Sequence, residues 1–479
     1  MILRVLGHGF HYECENLCRV FYPNEKIAVV RDMSGEDSKE VTTQYENGVC
    51  TVSANIYGSF LSMEAKADYE SAELEIATLI YSVLSGITGY TPSWGVLTGV
   101  RPSKLMMKLM SSEGEERAFN YFTDSLLVKS EKARLAQTVA KAEREIINSV
   151  SKDSVSLYVS IPFCPSRCSY CSFVSHSIAT PSAAKLLPSY VDKLKEEIKA
   201  AGVHASNLGL KLQSVYFGGG TPGILSAEYL DTLQSAIEES FDMTALAEYT
   251  VELGRPDTVS DDKLQTLIKH HTGRISINPQ SFNQKTLDAI GRAHSVQAVF
   301  EAYENARKYP FESINMDLIA GLPGEEPEDF EYSLDKTISL APENVTVHSL
   351  ALKRSSTMNY EGETVKRGEK AEKMLSYASK ALTNSGYSPY YMYRQSKCVG
   401  NLENVGWCLE NKKSFYNVIM MEECQTVIGV GAGAVTKLCD PSCNNIQRIF
   451  NYKYPYEYIS GFEEMLERKK GIEDFYAQA

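Results

Sequence analysis

The chain of 479 residues lacks the features of a membrane-bound or secreted protein. It has no apolar run that approaches the length of a membrane span. The segment MILRVLGHGFHYECENL lacks the basic start and apolar core of a signal peptide. Eleven cysteines are too sparse for a disulfide scaffold in a chain of this length. We therefore expect a cytoplasmic protein whose cysteines are free or bind metal.

The chain also lacks an excess of positive charge, fixed-period repeats and low-complexity tracts. Its formal net charge of −13 argues against a nucleic-acid partner, because phosphates demand clustered Lys and Arg. An apolar share of 43% and a charged share of 23% are typical of a globular protein. The length predicts two or three domains.

Strand and helix patterns divide the chain into three regions. Residues 1–150 mix alternating strands with helices, which predicts an α+β domain that ends in a charged helical linker. Over residues 151–358, six short apolar runs alternate with helical segments, namely LYVSI, LQSVYF, EYTVEL, RISI, SINMDLIAG and NVTVHSL. This alternation predicts an α/β fold, an open or partial (β/α)6 TIM-like barrel. Residues 359–479 lose the alternation and read as a smaller α+β extension that caps the barrel.

Three cysteines with the spacing C-x3-C-x2-C carry the clearest chemical signal. Cys164, Cys168 and Cys171 follow the first barrel strand in LYVSIPFCPSRCSYCSF. Three thiolates suit an iron–sulfur cluster, and a cubane with three protein ligands leaves one iron open for a small molecule. The alternatives are a zinc site or three unrelated thiols. Cysteines of the C-terminal third could hold an auxiliary cluster, although dispersed reduced thiols are the simpler interpretation: Cys398, Cys408, Cys424, Cys439 and Cys443.

Polar and glycine-rich segments follow the later barrel strands, where catalytic groups lie in such folds. The glycines of FGGGTP allow a ligand to approach the backbone closely, although they also fit a tight turn. Glu252, Gln280 and Asp317 could hydrogen-bond a ribose or an amino group, and Arg292 could pair with a carboxylate. Each of these residues alone is more often a helix cap or a surface charge, but their recurrence at successive strand ends favours a binding site.

In this order and spacing the motifs resemble the radical SAM superfamily. LYVSIPFC, YFGGGTP, TVE, IGRAHS, NMDLIAGLPGE and VTVHSL are similar to the oxygen-independent coproporphyrinogen III oxidase-like (HemN-like) family. WGVLTGVRPSKL and GNLENVGWC further resemble its HemZ branch, described as coproporphyrinogen dehydrogenases. The resemblance implies a [4Fe–4S] cluster and S-adenosylmethionine (SAM) as cofactors.

The resemblance also implies roles for individual residues. Cys164, Cys168 and Cys171 would ligate three irons. Tyr158 corresponds to a family tyrosine near the cluster and an additional SAM, and we expect a catalytic role for it. The residues expected to line the SAM site are Tyr158, Tyr170, Gly219, Gly220, Thr221, Glu252, Gln280, Arg292, Asp317 and Ile319.

The implied reaction is oxidative decarboxylation of coproporphyrinogen III propionates to vinyl groups through a 5′-deoxyadenosyl radical. It would yield protoporphyrinogen IX and require an external electron donor and acceptor. We expect a monomer. Alternatives are radical chemistry on another tetrapyrrole, such as haem, and a haem-binding chaperone without enzyme activity.

The chain departs from the family pattern in ways that bear on the substrate. Phe173 stands where the authentic oxidases have a further cysteine, and Arg255 stands in TVELGRP where the family has NP. GNLENVGW lacks the histidine of the chaperones' HNxxYW motif. Candidate cations for a polyanionic substrate are Arg255, Lys353, Arg354 and Arg394, although for each of them a surface charge is the more common interpretation.

Overall fold

The computed structural model describes residues 1–173, 175–351, 364–395, 398–440 and 445–478. The chain folds into two compact units. Unit 1 comprises residues 1–141, 360–373 and 392–404, and unit 2 comprises residues 142–359, 374–391 and 405–479. The division into three domains at 150 and 358 stays a prediction. Among the described helices, none combines the length and the apolar composition needed to cross a bilayer.

Unit 1 is built on a mixed sheet whose strands run in the order β2-β1-β3-β4-β5. Its first elements are β1 (Ile2–Leu6), α1 (His11–Phe21), β2 (Ala28–Val30), β3 (Lys39–Glu46), β4 (Val49–Ile56), β5 (Ser59–Lys66), α2 (Ala72–Thr88), α3 (Pro102–Glu113), α4 (Glu115–Asn120) and α5 (Ser130–Ile147). Strand β1 lies parallel to β2 and β3, and β3 to β5 form an antiparallel meander. One turn of π-helix, Tyr121–Ser125, follows α4.

A buried charged cluster in unit 1 joins the two segments that resemble the HemZ branch. Glu403, from GNLENVGW, accepts hydrogen bonds from Trp94 Nε1 at 2.7 Å and Lys132 Nζ at 2.6 Å. Burial opposes ionisation of Glu403, but Lys132 and Trp94 hold its pKa below the usual value. The Arg394 guanidinium lies 5.3 Å from the centroid of the Trp94 ring. The hydrogen bond from Trp94 therefore ties the two segments together, and Lys132 balances the charge of the Glu403 carboxylate.

Unit 2 contains the barrel. The strands from residue 154 onward are β6 (Ser154–Ile161), β7 (Phe163–Cys164), β8 (His176–Ser177), β9 (Lys211–Gly219), β10 (Glu248–Gly254), β11 (Arg274–Ile277), β12 (Ser313–Ala320), β13 (Asn344–Ser349), β14 (Ser388–Arg394), β15 (Glu403–Cys408), β16 (Val427–Val430), β17 (Val435–Cys439) and β18 (Ile446–Phe450). Of these, β14 and β15 each have residues in both units. The helices from residue 181 onward are α6 (Pro181–Asn207), α7 (Ala227–Ser240), α8 (Asp261–Lys269), α9 (Gln284–Ala289), α10 (Val296–Ala306), α11 (Pro327–Leu340), α12 (Thr364–Asn384), α13 (Phe415–Glu422), α14 (Pro455–Ser460), α15 (Phe462–Lys469) and α16 (Gly471–Tyr476). Helices α5 and α12 each have residues in both units.

The predicted partial (β/α)6 barrel is confirmed. Strands β6, β9, β10, β11, β12 and β13 are neighbours in this order, and all their pairings are parallel. The sheet continues beyond both barrel edges, since β15 pairs antiparallel with β13 and β16 pairs parallel with β6. The strands after residue 388 thus extend the barrel sheet.

Strict alternation in the barrel strands separates an apolar face from a polar one. In β6, Val155, Leu157, Val159 and Ile161 are fully buried against the surrounding helices. The intervening side chains, Ser154 to Ser160 in steps of two, face the other side of the sheet because successive side chains of a strand point to opposite faces. The hydrophobic core therefore lies between sheet and helices, and the barrel interior is polar.

The N-terminal ends of the barrel strands are closed by the segment before α13. Glu248, at the start of β10, accepts hydrogen bonds from Ser414 Oγ at 2.9 Å and from the Phe415 amide at 2.6 Å. Asn344 Nδ2 donates to the Lys412 carbonyl at 2.9 Å. The barrel interior is therefore closed at the N-terminal ends of its strands. The C-terminal ends of the strands lie at the opposite end of the barrel.

A buried ion pair fixes the C-terminal helices to the barrel. Lys469 Nζ lies 3.2 Å from Glu197 Oε1, and both side chains are fully buried. Glu197 also accepts hydrogen bonds from Asn451 Nδ2 at 2.7 Å and Tyr458 OH at 2.6 Å. The pair therefore connects α6 with α14, α15 and the end of β18.

We predict that Lys469→Met lowers the free energy of unfolding by about 3–5 kcal/mol, because it leaves the Glu197 carboxylate buried without its cation. Lys470→Met is the matched control, since this neighbouring lysine pairs with Glu467 at an exposed position. A surface pair contributes little, so the control should unfold like the wild type. Urea unfolding measures both; equal midpoints for the two variants would contradict the prediction.

Candidate cofactor site

The three cysteines lie on a loop whose two ends are joined. Cys164 ends β7, which pairs in parallel with β8, so that the Ile178 amide donates to the Cys164 carbonyl at 3.0 Å. Within the loop, the Cys171 amide donates to the Cys168 carbonyl at 3.2 Å. Cys168 is buried, whereas Cys164 and Cys171 are half-buried. The loop thus presents three thiols from one short, closed segment.

The thiols face residues at the ends of other barrel strands. Thr221 Oγ1 donates to Cys164 Sγ at 3.4 Å, and Arg292 Nη1 lies 3.9 Å from Cys168 Sγ. The Ser169 amide donates to the Ile290 carbonyl at 3.0 Å. The cysteine loop, the GGGTP segment and the GRAH segment therefore meet at one end of the barrel.

The donor set fits an iron–sulfur cluster. Burial raises the pKa of Cys171, with a further rise from the neighbouring thiols, so that a bound cation is needed to favour the thiolate. Within the described ranges, no three His, Cys, Asp or Glu side chains converge on a single metal ion. A cubane instead takes one thiolate on each iron. Of the cysteines considered for an auxiliary cluster, Cys443 lies outside the described residues.

The glycines of GGGTP allow this segment to pack directly on the start of the cysteine loop. The Gly220 amide donates to the Ile161 carbonyl and the Thr221 amide to the Phe163 carbonyl, both at 2.8 Å. A Cβ on Gly220 would lie 2.5 Å from the Phe163 carbonyl oxygen, and Gly219 has φ of +107°. Close backbone contact therefore requires glycine here. Their contact with the methionine part of SAM stays a prediction.

Glu252 and Asp317 hold carboxyl groups of opposite character in the barrel. Enclosure raises the pKa of Glu252 to about 7, although its hydrogen bond from Tyr216 OH opposes the rise. Burial also acts to raise the pKa of Asp317, but His348 and Asn315 outweigh it and lower the pKa below the usual value. Asn315 Nδ2 donates to Asp317 Oδ1 at 2.7 Å. Near neutral pH, Glu252 can therefore exchange a proton while Asp317 remains an acceptor.

Gln280 has an unusual backbone that aims its side chain at the site. Its φ is +66°, a left-handed value that a non-glycine residue seldom adopts. Its amide donates to the Asp317 carbonyl at 2.9 Å, and its carbonyl accepts from the Ile319 amide at 3.1 Å. The buried Oε1 has no hydrogen-bond partner among the described residues. A buried amide oxygen of this kind indicates a missing donor, such as one on a ligand.

Arg292 and Tyr170 lie beside the cysteines. Arg292 Nη2 donates to the Asn278 carbonyl at 2.5 Å, and its buried Nε is unpaired in the described part of the chain. Burial raises the pKa of Tyr170, with Arg292 opposing and Cys168 adding to the rise. Tyr170 is thus part of the cysteine loop, and Arg292 lies beside it. Pairing of Arg292 with a carboxylate, and of Tyr170 with adenine, stays a prediction.

Tyr158 is part of a stack of three tyrosines that the sequence patterns did not reveal. The Tyr216 and Tyr416 rings are stacked at 4.3 Å between centroids, and each lies about 6 Å from Tyr158, at 6.4 and 6.2 Å. Tyr216 could have been found, because it precedes Gly218 by two residues and shares its face of β9. Tyr416 comes from α13 and carries no motif. The stack occupies the barrel interior beneath Glu252.

His294, in the GRAH motif, is a further residue that the sequence interpretation left without a role. It is buried, and neither ring nitrogen has a partner in the described ranges. Burial and the cations Arg292 and Arg255 lower its pKa to about 4, so the ring is neutral near pH 7.

Two of the four candidate substrate cations are not available to a substrate. Arg255 is 2% exposed and pairs with Asp257, and Arg394 is 3% exposed and donates to the carbonyls of Leu97 and Asn401. Their candidacy as substrate cations was therefore wrong, because internal partners satisfy both guanidinium groups, and their burial also contradicts the alternative of a surface charge. Lys353 and Arg354 lie outside the described residues.

Comparisons with known proteins agree with this arrangement. A sequence model of the Radical SAM superfamily matches residues 158–337. The chain is 37% identical over 475 residues to the oxygen-independent coproporphyrinogen-III oxidase-like protein HemZ of Bacillus subtilis, covering 96% of this chain and 94% of that protein. It is 31% identical over 325 residues to the heme chaperone HemW of Lactococcus lactis, covering 67% of this chain and 79% of the other.

The fold is also found among solved structures. Coproporphyrinogen III oxidase (HemN) of Escherichia coli, described as a radical SAM enzyme, superimposes with a TM-score of 0.51 at 22% identity. The match covers 68% of this chain and 73% of that chain. At this identity the likeness supports the fold.

We predict that the free energy of unfolding of Glu252→Gln, relative to that of the wild type, increases as the pH rises. The pKa of Glu252 is about 7 in the folded protein against an ordinary 4.5, so the folded state favours the protonated carboxyl. Wild-type stability from this group is therefore present at low pH and is lost as the pH rises from about 5 to about 7. Glutamine keeps a neutral acceptor for Tyr216 and removes that loss.

Urea unfolding at about pH 5.5 and about pH 8 tests this expectation, because other carboxyl groups cancel in the difference between variant and wild type. Glu239→Gln, at an exposed position on α7, is the control and should show no such divergence. A difference between Glu252→Gln and wild type that is equal at both pH values would contradict the assigned pKa.

Proposed function

The chain belongs to the radical SAM superfamily, in its oxygen-independent coproporphyrinogen III oxidase-like family, and on this basis we propose that it is an enzyme that converts coproporphyrinogen III into protoporphyrinogen IX. The observation that carries the proposal is the contact of Thr221 and Arg292 with two of the three thiols, at the end of a polar barrel where Gln280 holds an unpaired amide oxygen among the described residues. Two propionate side chains react in this conversion. Each propionate loses carbon dioxide, one hydrogen atom and one electron and becomes a vinyl group.

The superfamily's cofactors are a [4Fe–4S] cluster and SAM. We assign Cys164, Cys168 and Cys171 as the iron ligands. The proposed SAM-site residues are Tyr158, Tyr170, Gly219, Gly220, Thr221, Glu252, Gln280, Arg292, Asp317 and Ile319. When bound, the two cofactors supply one-electron chemistry that abstracts a hydrogen atom from the substrate.

The chain's own residues bind and orient polar groups in this scheme. Gln280 Oε1 and Arg292 Nε supply an unsatisfied acceptor and an unsatisfied donor within the described residues, which suits a ligand that carries both an amino and a carboxylate group. Asp317 keeps its charge, and Glu252 accepts a hydrogen bond from the Tyr216 hydroxyl. In this proposal the stacked rings of Tyr158, Tyr216 and Tyr416 limit the access of water to Glu252, which Tyr216 contacts.

The substrate assignment is supported by the match to the Bacillus subtilis protein, whose printed name is coproporphyrinogen-III oxidase-like. An external electron donor and acceptor are part of the proposal, as is a monomeric state. Phe173, where the resemblance places a cysteine in the authentic oxidases, is 66% exposed. Its side chain therefore does not occupy a buried position among the thiols.

A second candidate function is that of a haem-binding chaperone. The observation that favours it is the 31% identity to the heme chaperone of Lactococcus lactis. The absence of a histidine from GNLENVGW weighs against it. Haem titration, followed by transfer to a haem-free acceptor protein, distinguishes a chaperone from an enzyme.

We predict that the reconstituted wild type binds about four irons per chain and, with dithionite, SAM and coproporphyrinogen III under anaerobic conditions, releases 5′-deoxyadenosine together with vinyl products. The triple variant of Cys164, Cys168 and Cys171 to Ala should lose the iron and both products. Cys439→Ala is the control, because this buried cysteine lies at the end of β17, where its thiol donates a hydrogen bond to the Glu423 carbonyl. It should retain iron and activity.

Three outcomes separate the parts of the proposal. Iron retained by the triple variant would contradict the ligand assignment. Release of 5′-deoxyadenosine without a vinyl product would contradict the substrate assignment alone. Haem transfer in the absence of SAM cleavage would favour the chaperone over the enzyme.

A further inference from the structure

Arg255 follows the end of β10, in the segment where this chain departs from the family pattern. Gly254, with φ of +75°, turns the backbone so that Arg255 points inward. Its Nε and Nη2 donate to the two carboxylate oxygens of Asp257 at 2.8 and 2.9 Å. This two-point pairing fixes the plane of the guanidinium, since the fork of donors matches the carboxylate. Arg255 is therefore a rigid group rather than a mobile charge.

The third arm of the guanidinium reaches the cysteine loop. Arg255 Nη1 donates to Ser166 Oγ at 2.6 Å, and Ser166 lies between Cys164 and Cys168. Asp257 neutralises the arginine, so the bond acts through its fixed direction and not as a free charge. The bond to the buried Arg255 side chain restricts the conformations open to Ser166, and with it those of the loop.

Ser166 is one of three anchors along this loop. Ser177 Oγ donates to the Pro165 carbonyl at 3.1 Å, and the Ser169 amide donates to the Ile290 carbonyl at 3.0 Å. The Arg255 bond lies between these two and is the anchor that connects the loop to β10. It thereby couples the first two thiols to the strand that carries Glu252.

We propose that the Arg255–Asp257 pair is a positioning element that, through the Ser166 hydroxyl, holds the segment between the first two cysteines in the conformation that retains an iron–sulfur cluster. The proposal rests on the assignment of Cys164, Cys168 and Cys171 as iron ligands. Arg255 thus serves the cofactor loop and not the anionic substrate.

The test uses the reconstituted full-length protein and measures the rate at which a ferrous chelator removes iron. Ser166→Ala should release iron about tenfold faster than the wild type, because one hydrogen bond to a charged donor is lost. Ser166→Thr keeps the hydroxyl and should restore the wild-type rate. Arg255→Lys should behave like Ser166→Ala, since an ammonium cannot pair with Asp257 and direct a fixed arm at Ser166.

Ser175→Ala is the matched control, because this serine of the same loop has no hydrogen bond to another described residue. Its iron release should equal that of the wild type. The electron paramagnetic resonance spectrum of the reduced cluster should change in Ser166→Ala and remain unchanged in Ser166→Thr and in the control. A merely structural role would not move this spectrum selectively.

If neither the rate of iron release nor the spectrum changes in Ser166→Ala, the positioning role is overturned, while the cluster assignment remains intact. Iron retained after all three cysteines are replaced would instead refute the cluster assignment. Circular dichroism of the apo-proteins shows whether each variant folds. If Arg255→Lys does not fold, the comparison of Ser166→Ala with Ser166→Thr decides the question alone.

Discussion

The close backbone contact between the ends of β6 and β9 is the constraint on which the rest of the site depends. Gly220 and Thr221 donate to carbonyls of Ile161 and Phe163, immediately before the first thiol. Any side chain at Gly220 would meet the Phe163 carbonyl. Because these are neighbouring parallel strands, the contact sets the cysteine loop against the mouth of the barrel. The direction of the thiols therefore follows from strand register and from the absence of one Cβ.

The polar interior of the barrel is satisfied at one end and unsatisfied at the other. At the N-terminal end, Glu248 is occupied by Ser414 and the Phe415 amide. At the opposite end, Gln280 Oε1 and Arg292 Nε are buried without partners in the described ranges. Since buried polar groups are nearly always hydrogen-bonded, the contrast separates a structural end from a ligand-binding end. The fold tolerates the open end because helices bury the apolar face of the same strands.

Much of this arrangement could be predicted from the sequence, because it is encoded locally. Alternation in the barrel strands and glycine before threonine at a strand end both follow from short-range geometry. Tyr416 could not be predicted, since it reaches the interior from a helix about 200 residues after Tyr216 in the chain. Nor could the extension of the sheet, because strand pairing between β6 and β16 depends on contacts distant in sequence.

Arginines show most clearly why residue type alone does not define a role. Arg255 follows β10, Arg292 lies between α9 and α10, and both are buried. Arg255 has its donors directed at Asp257 and Ser166, whereas Arg292 keeps an Nε without a partner among the described residues. Only the second has a donor left for a ligand. The sequence shows two similar cations, and the distribution of their internal acceptors binds Arg255 to the cysteine loop and leaves Arg292 with a donor for the proposed cofactor.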